Sequence, residues 1–157
     1  MSKAKKNVVV VGDLKKHVGF WLRFVSNHVS NAFARKLLNS GVTVAEWVVL
    51  REMYDKEAMA PSVLADLTGM TRGAASKLLD RLVAKKLITR EGRSDDRRFQ
   101  DIALTSAGRQ LVPVLGEFAD QNDNEYFATL SKNERDILID ILRKVVKAHD
   151  LHQLPTK

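Results

Sequence analysis

Cysteine is absent from all 157 positions. That excludes disulfides, thiolate-ligated zinc and thiol-based redox sensing by this chain, and it suits a reducing cytoplasm. No apolar run approaches the roughly 18 residues that a membrane-spanning helix needs, so no membrane partner is expected. The four valines after the basic N-terminus are too few for a secretory signal, whose apolar stretch runs to about 7–15 residues. Residues 1–12 are therefore expected to be a flexible, solvated basic arm. Enzyme signatures are missing too. There is no phosphate-binding glycine loop, no zinc-protease motif and no convincing nucleophile–base–oxyanion cluster, so neither catalysis nor a cofactor is expected.

What is present is a packed core and polarised charge. An apolar content of 45% is ample for one domain of this length. The net charge is +7, and its distribution says more than its size. The first 41 residues carry eight lysines and arginines against one acid, Asp13. Gly69 to Arg98 holds nine bases against four acids, whereas residues 116–140 hold seven acids and two bases. A basic middle attracts phosphate, although a charge run is more often just a solvated face.

Apolar residues recur at spacings of three and four from Leu14 to Leu37, predicting a long helix that ends near Gly41. Thr43 with Glu46 forms a capping box for a second helix through Trp47, Leu50 and Met53. Pro61 suits the first turn of a short third helix. Gly69 then turns the chain, and Thr71 caps a fourth helix with Ala75, Leu78, Leu79 and Leu82 as its buried stripe. Two short helices around a glycine turn read as a helix-turn-helix. The outward face of its second helix would carry Arg72, Gly73, Ala74, Ser76, Lys77 and Arg81. Small residues allow close approach to a major groove, and hydroxyls and cations bond base edges and phosphates. The competing reading is an ordinary amphipathic helix with a solvated face.

The following segment weighs against that competitor. Strands are predicted over Leu87–Glu91 and Phe99–Leu104, the second with Ile102 and Leu104 on one face and Asp101 and Ala103 on the other. Between them lies GRSDDRRF, residues 92–99. A helix-turn-helix followed by a hairpin is a winged helix, and its wing tip would meet backbone and minor groove. Arg93, Arg97 and Arg98 would contact DNA, with Asp96 holding the Arg98 guanidinium in a charge-assisted pair. Thr105 caps a further helix containing Pro113, where a bend is expected. Ser131 with Glu134 caps a last helix with Ile137, Leu138, Ile141, Leu142 and Val145. Apolar helices outside the lobe need a covering surface, and a second copy of the chain is the economical one. His149 and His152 are a candidate metal half-site, but no further ligands lie nearby and no metal is assigned.

From Gly41 to Gly108 the chain resembles the MarR-type winged-helix transcriptional regulators. The matching pieces are VLADLTGMTRGAASKLLDRLVAKKLITR, the Asp96-Arg97-Arg98 wing and IALTSAG. The resemblance implies a mainly α fold with a small β wing, as a single domain over residues 13–157. Residues 13–41 and 106–150 would be dimerisation helices, and 43–105 the DNA-binding lobe. It also implies a cytoplasmic homodimer acting on double-stranded DNA with a palindromic operator, repressor being the expected mode. Family members often release DNA when a small aromatic or phenolic effector enters a cleft beside the dimer helices. Trp21, His28, Trp47 and Arg51 are the candidates to line it, against the simpler reading that Trp and His on apolar faces are core. The alternative function is a winged-helix protein-interaction or RNA-binding module. It would favour exposed aromatics on the basic face, and the recognition helix has none. One departure stands out: the family usually has glycine just after the recognition helix, where this chain has Lys86.

Overall fold

Local caps account for most helix starts in the computed structural model, which describes residues 11–92 and 100–151. The six helices among these residues are α1 (Val18–Leu37), α2 (Val44–Tyr54), α3 (Pro61–Thr68), α4 (Arg72–Ala84), α5 (Ser106–Phe127) and α6 (Lys132–Ala148). A two-stranded antiparallel hairpin, β1 (Ile88–Glu91) and β2 (Asp101–Leu104), separates α4 from α5. The fold is thus mainly α with a small β wing, as the periodicities predict.

The N-terminal helix begins later than its apolar spacing suggests. Asp13 accepts from the Lys15 N–H at 3.0 Å and caps a separate 3₁₀ turn, Leu14–Lys16. His17 is extended (ψ 124°) and breaks the run before α1 starts. At the other end Gly41 adopts φ 69°, which costs glycine little, and frees the chain to enter α2. There the capping box is complete: Glu46 N–H donates to Thr43 Oγ1 at 3.2 Å, and Thr43 N–H donates to Glu46 Oε2 at 2.9 Å. The end of α2 is held from afar. The Arg109 guanidinium on α5 donates to the carbonyls of Tyr54 (3.2 Å) and Lys56 (2.9 Å).

Pro61 opens α3, and Gly69 closes it in the left-handed region at φ 68°. Thr71 then caps α4, accepting from Ala74 N–H at 3.2 Å. The stripe Ala75, Leu78, Leu79 and Leu82 is buried against Leu37, Leu50, Met53, Leu64, Ile102 and Leu115. After α4, Lys86 takes the left-handed position at φ 58°. Leu87 N–H donates to the Leu82 carbonyl and Lys86 N–H to that of Val83, at 3.0 and 2.9 Å. This is the Schellman closure that normally favours glycine, here formed by a lysine.

Both strands are shorter than expected. Their pairing runs from Ile88↔Leu104 to Glu91↔Asp101. The other edge of β2 is also occupied, because Met59 and Ile102 exchange backbone hydrogen bonds of 3.0 and 2.8 Å. Ala103 is buried together with Ile102 and Leu104, so the expected alternation fails there. Its cause is cover on both faces of the strand, whereas alternation assumes one solvated face.

Thr105 joins hairpin to helix. Its hydroxyl donates to the Lys86 carbonyl at 2.8 Å and accepts from Gly108 N–H at 3.1 Å. A Cβ on Gly108 would collide with the Leu87 carbonyl oxygen, so the helix can start this close to β1 only with glycine there. From this point α5 runs unbroken through Pro113 to Phe127 and packs along α1. Asn122 is buried between them and donates to the Val29 carbonyl at 3.2 Å, while Tyr126 donates to that of His28 at 3.1 Å. The last helix starts at a second complete capping box, Ser131 with Glu134, yet none of its residues is buried. Among the described residues no helix is long and apolar enough to cross a membrane.

Candidate nucleic-acid interface

The helix-turn-helix sets one face of α4 outward. Arg72, Gly73, Ser76, Lys77 and Arg81 are exposed, and Thr71 and Ala74 are half-buried. Thr71 spends its side chain on the cap. The face therefore mixes small groups at Gly73 and Ser76 with cations at Arg72, Lys77 and Arg81. Two attachments orient it. Arg90 on β1 pairs with Asp80 at 2.7 Å and ties the hairpin to the middle of the helix. At the C-terminal end Lys85 Nζ donates to Glu46 Oε2 at 2.7 Å and to the Gly41 carbonyl at 2.6 Å. Arg81 lies beside the same carboxylate, with Nε 3.7 Å from Oε1.

Glu46 is wholly buried, at 0% exposure. Burial pushes its carboxyl up. The hydrogen bonds from Lys85 and from the Thr43 backbone, and the charges of Lys85 and Arg81, outweigh that and hold it below its ordinary value of 4.5. The sequence marks Glu46 only as half of a capping box. Its second role depends on Lys85 arriving from 39 residues away, and nothing local signals that.

The wing-tip residues Arg93, Asp96, Arg97 and Arg98 lie outside the described residues, as do the arm 1–10, Phe99 and His152. His149 ends α6, and among the described residues no group of three or more His, Asp and Glu could hold a metal.

The four candidate cleft residues are spread out. His28 is on α1 with its ring 4.7 Å from that of Phe24. Trp47 packs edge-on to Phe33 at 6.2 Å, on the rim of the core. Arg51 pairs with Asp55 at 2.7 Å on the solvent side of α2. Trp21, on α1, donates its indole N–H to the Lys15 carbonyl at 2.8 Å. Of the four, only Trp21 lines the apolar cavity of about 410 Å³ found between α1 and α6, with Val25, Phe127, Leu138 and Leu142 among its other walls. One-helix spacing could not reveal this, because the cavity is made by helices distant in sequence.

Comparison with known proteins locates this architecture. The MarR family model matches residues 40–98, from the turn before α2 into the wing. A putative transcriptional regulatory protein for the hcr operon of Thauera aromatica is 27% identical over 140 residues, covering 88% of this chain and 84% of that protein. Bordetella bronchiseptica BpsR, whose DNA binding is regulated by 6-hydroxynicotinic acid, superimposes with a TM-score of 0.77 at 29% identity, covering 86% of this chain and 98% of its own. The S. aureus MepR–DNA complex shares the fold with a TM-score of 0.76 at 22% identity, over 87% of this chain and 99% of the MepR chain. Residues 40–98 match the MarR family model, and the chain shares the winged-helix fold of the solved MarR-family structures it resembles.

Proposed function

We propose that this protein is a DNA-binding transcriptional regulator, a homodimer that reads a palindromic operator and represses from it. The observation that carries the reading is the exposed face of α4. Small groups at Gly73 and Ser76 and cations at Arg72, Lys77 and Arg81 stand clear of the core beside the hairpin. Such a face admits close approach to base edges, and its cations meet phosphate. The wing residues Arg93, Arg97 and Arg98 would add phosphate and minor-groove contacts, with Asp96 orienting Arg98. Two copies related by a two-fold axis would present two such helices, so the operator would repeat its half-site as an inverted pair. With DNA as its partner, the protein would do this work in the cytoplasm.

Residues 13–41 and 106–150 would form the dimer, and the unpartnered apolar face of α6 supports that. Release by a small aromatic ligand is supported by the apolar cavity at Trp21 and by the 6-hydroxynicotinic acid response of BpsR.

The test is a binding competition between the DNA upstream of the chain's own gene and bulk DNA, with Ser76→Ala and Lys77→Ala variants. Each substitution should relax base preference, a discriminating contact being worth about 1–3 kcal/mol. Unchanged footprints and base preferences in both variants would show that α4 is not the reader. Equal binding of upstream and bulk DNA by the wild type would favour the interaction-module alternative.

A further inference from the structure

The Glu46 carboxylate stands where three segments meet. Its Oε2 accepts from the Thr43 N–H and from Lys85 Nζ, and Lys85 also holds the Gly41 carbonyl. One carboxylate and one ammonium thus join the turn after α1, the start of α2 and the end of α4. The other oxygen is different. Oε1 is the one buried side-chain polar atom without a hydrogen bond among the described residues. A carboxylate oxygen kept from water without a donor is costly, so it exerts a strong pull on any cation within reach. Arg81 is that cation. At 3.7 Å its Nε is an ion-pair partner just beyond hydrogen-bond length, and its side chain remains 58% exposed.

Arg81 follows Lys77 by one helical turn on the outward face of α4, so it has a carboxylate behind it and solvent before it. A guanidinium can turn its Nε–H toward Glu46 and keep its terminal amino groups facing outward.

We propose that Glu46 is a positioning residue for the recognition helix. It clamps the end of α4 through Lys85 and aims Arg81 through Oε1, so that the contact of Arg81 with a phosphate depends on a carboxylate that never touches DNA. The inference rests on the DNA-reading role of α4. An arginine already restrained loses less rotamer freedom on reaching the backbone than one that swings freely. Simple electrostatics gives the opposite expectation, since deleting a negative charge near DNA should help binding.

A double-mutant cycle in the full-length chain separates these accounts, with the upstream duplex as probe and anisotropy as readout. Arg81→Ala should weaken binding about tenfold in the wild type and about threefold or less in Glu46→Gln, since coupled neighbours are not additive. Thr43→Ala damages the same helix cap but leaves the charge, so there the Arg81→Ala cost should stay about tenfold. If Glu46→Gln does not fold, Lys85→Gln serves instead. It leaves Arg81 the carboxylate's remaining cation, and the Arg81→Ala cost should rise above the wild-type value. In DNA-free protein the Arg81 Nε–H chemical shift should change in Glu46→Gln, which removes the charge 3.7 Å from it. An equal Arg81→Ala cost in every background would reduce Glu46 to a cap and overturn the proposal, as would no cost in the wild type. Failure of the recognition-helix reading would show separately, as retained base preference in Ser76→Ala and Lys77→Ala.

Discussion

The winged-helix lobe and the C-terminal helix have similar apolar repeats and opposite fates. In the lobe, Leu50, Leu64, Leu79, Leu82 and Ile102 are all 0% exposed. On α6, Ile137, Ile141 and Val145 remain 48%, 54% and 47% exposed. The lobe's α4 and the C-terminal α6 are both capped by a side chain and both amphipathic, so local sequence does not separate them. The difference is what each finds within its own chain. The lobe closes a core from α2, α3, α4, β2 and α5, whereas α6 faces α1 and the end of α5 across an open cavity. Apolar surface left this bare supports the dimer proposed above.

The sharpest way to break the comparison is to remove α6 by ending the chain at Leu130. The full chain should sediment at about twice its 17.6 kDa. The truncated chain should be monomeric and lose operator binding, while its remaining helices stay folded. A DNA-competent monomer would show that α6 is dispensable. Leu79→Ala tests the other side: the lobe should lose about 2–5 kcal/mol in a urea titration, with no direct effect on the α6 surface.

Acid sharpens the comparison within the lobe. Glu46 is held below its ordinary value when folded, so its contribution is fully present above the unfolded carboxylate pKa of 4.5 and fades as pH falls through the lower, folded value. The stability advantage of wild type over Glu46→Gln should therefore be constant at neutral pH and shrink below about pH 4.5. A difference independent of pH would mean that the charge is not what stabilises. On α6 the corresponding capping carboxylate, Glu134, is also lowered but wholly exposed, and Glu134→Gln should show little such dependence.

The smallest effect belongs to Lys86. Its φ of 58° strains a side-chain-bearing residue, so Lys86→Gly should stabilise the lobe by about 1 kcal/mol, read as a raised thermal midpoint. A lower midpoint would mean that the lysine side chain contributes more than its backbone strain costs.

The helix caps were legible in the sequence because each is a contact between residues three apart. Thr43 with Glu46, Thr71 with Ala74, Thr105 with Gly108 and Ser131 with Glu134 need only the local chain to form. The buried stripe of α4 and the turn at Gly69 were legible for the same reason, and with them came the helix-turn-helix and the outward face of the candidate interface. Even the anomaly at Lys86 could be located, though not how the chain would accommodate it.

Tertiary structure decided what depends on distant arrivals. Met59 pairs with the outer edge of β2, and packing on both faces of that strand buries Ala103 along with Ile102 and Leu104. Trp47 goes to the rim of the core, and Trp21 to a cavity that neither its helix nor its neighbours could reveal. The same carboxylate shows both halves. As a cap, Glu46 follows from Thr43 three residues before it. As the partner of the C-terminal end of α4, it waits for Lys85 and Arg81, because a charge can be buried only where packing brings its partners, and no local pattern records where distant helices will meet.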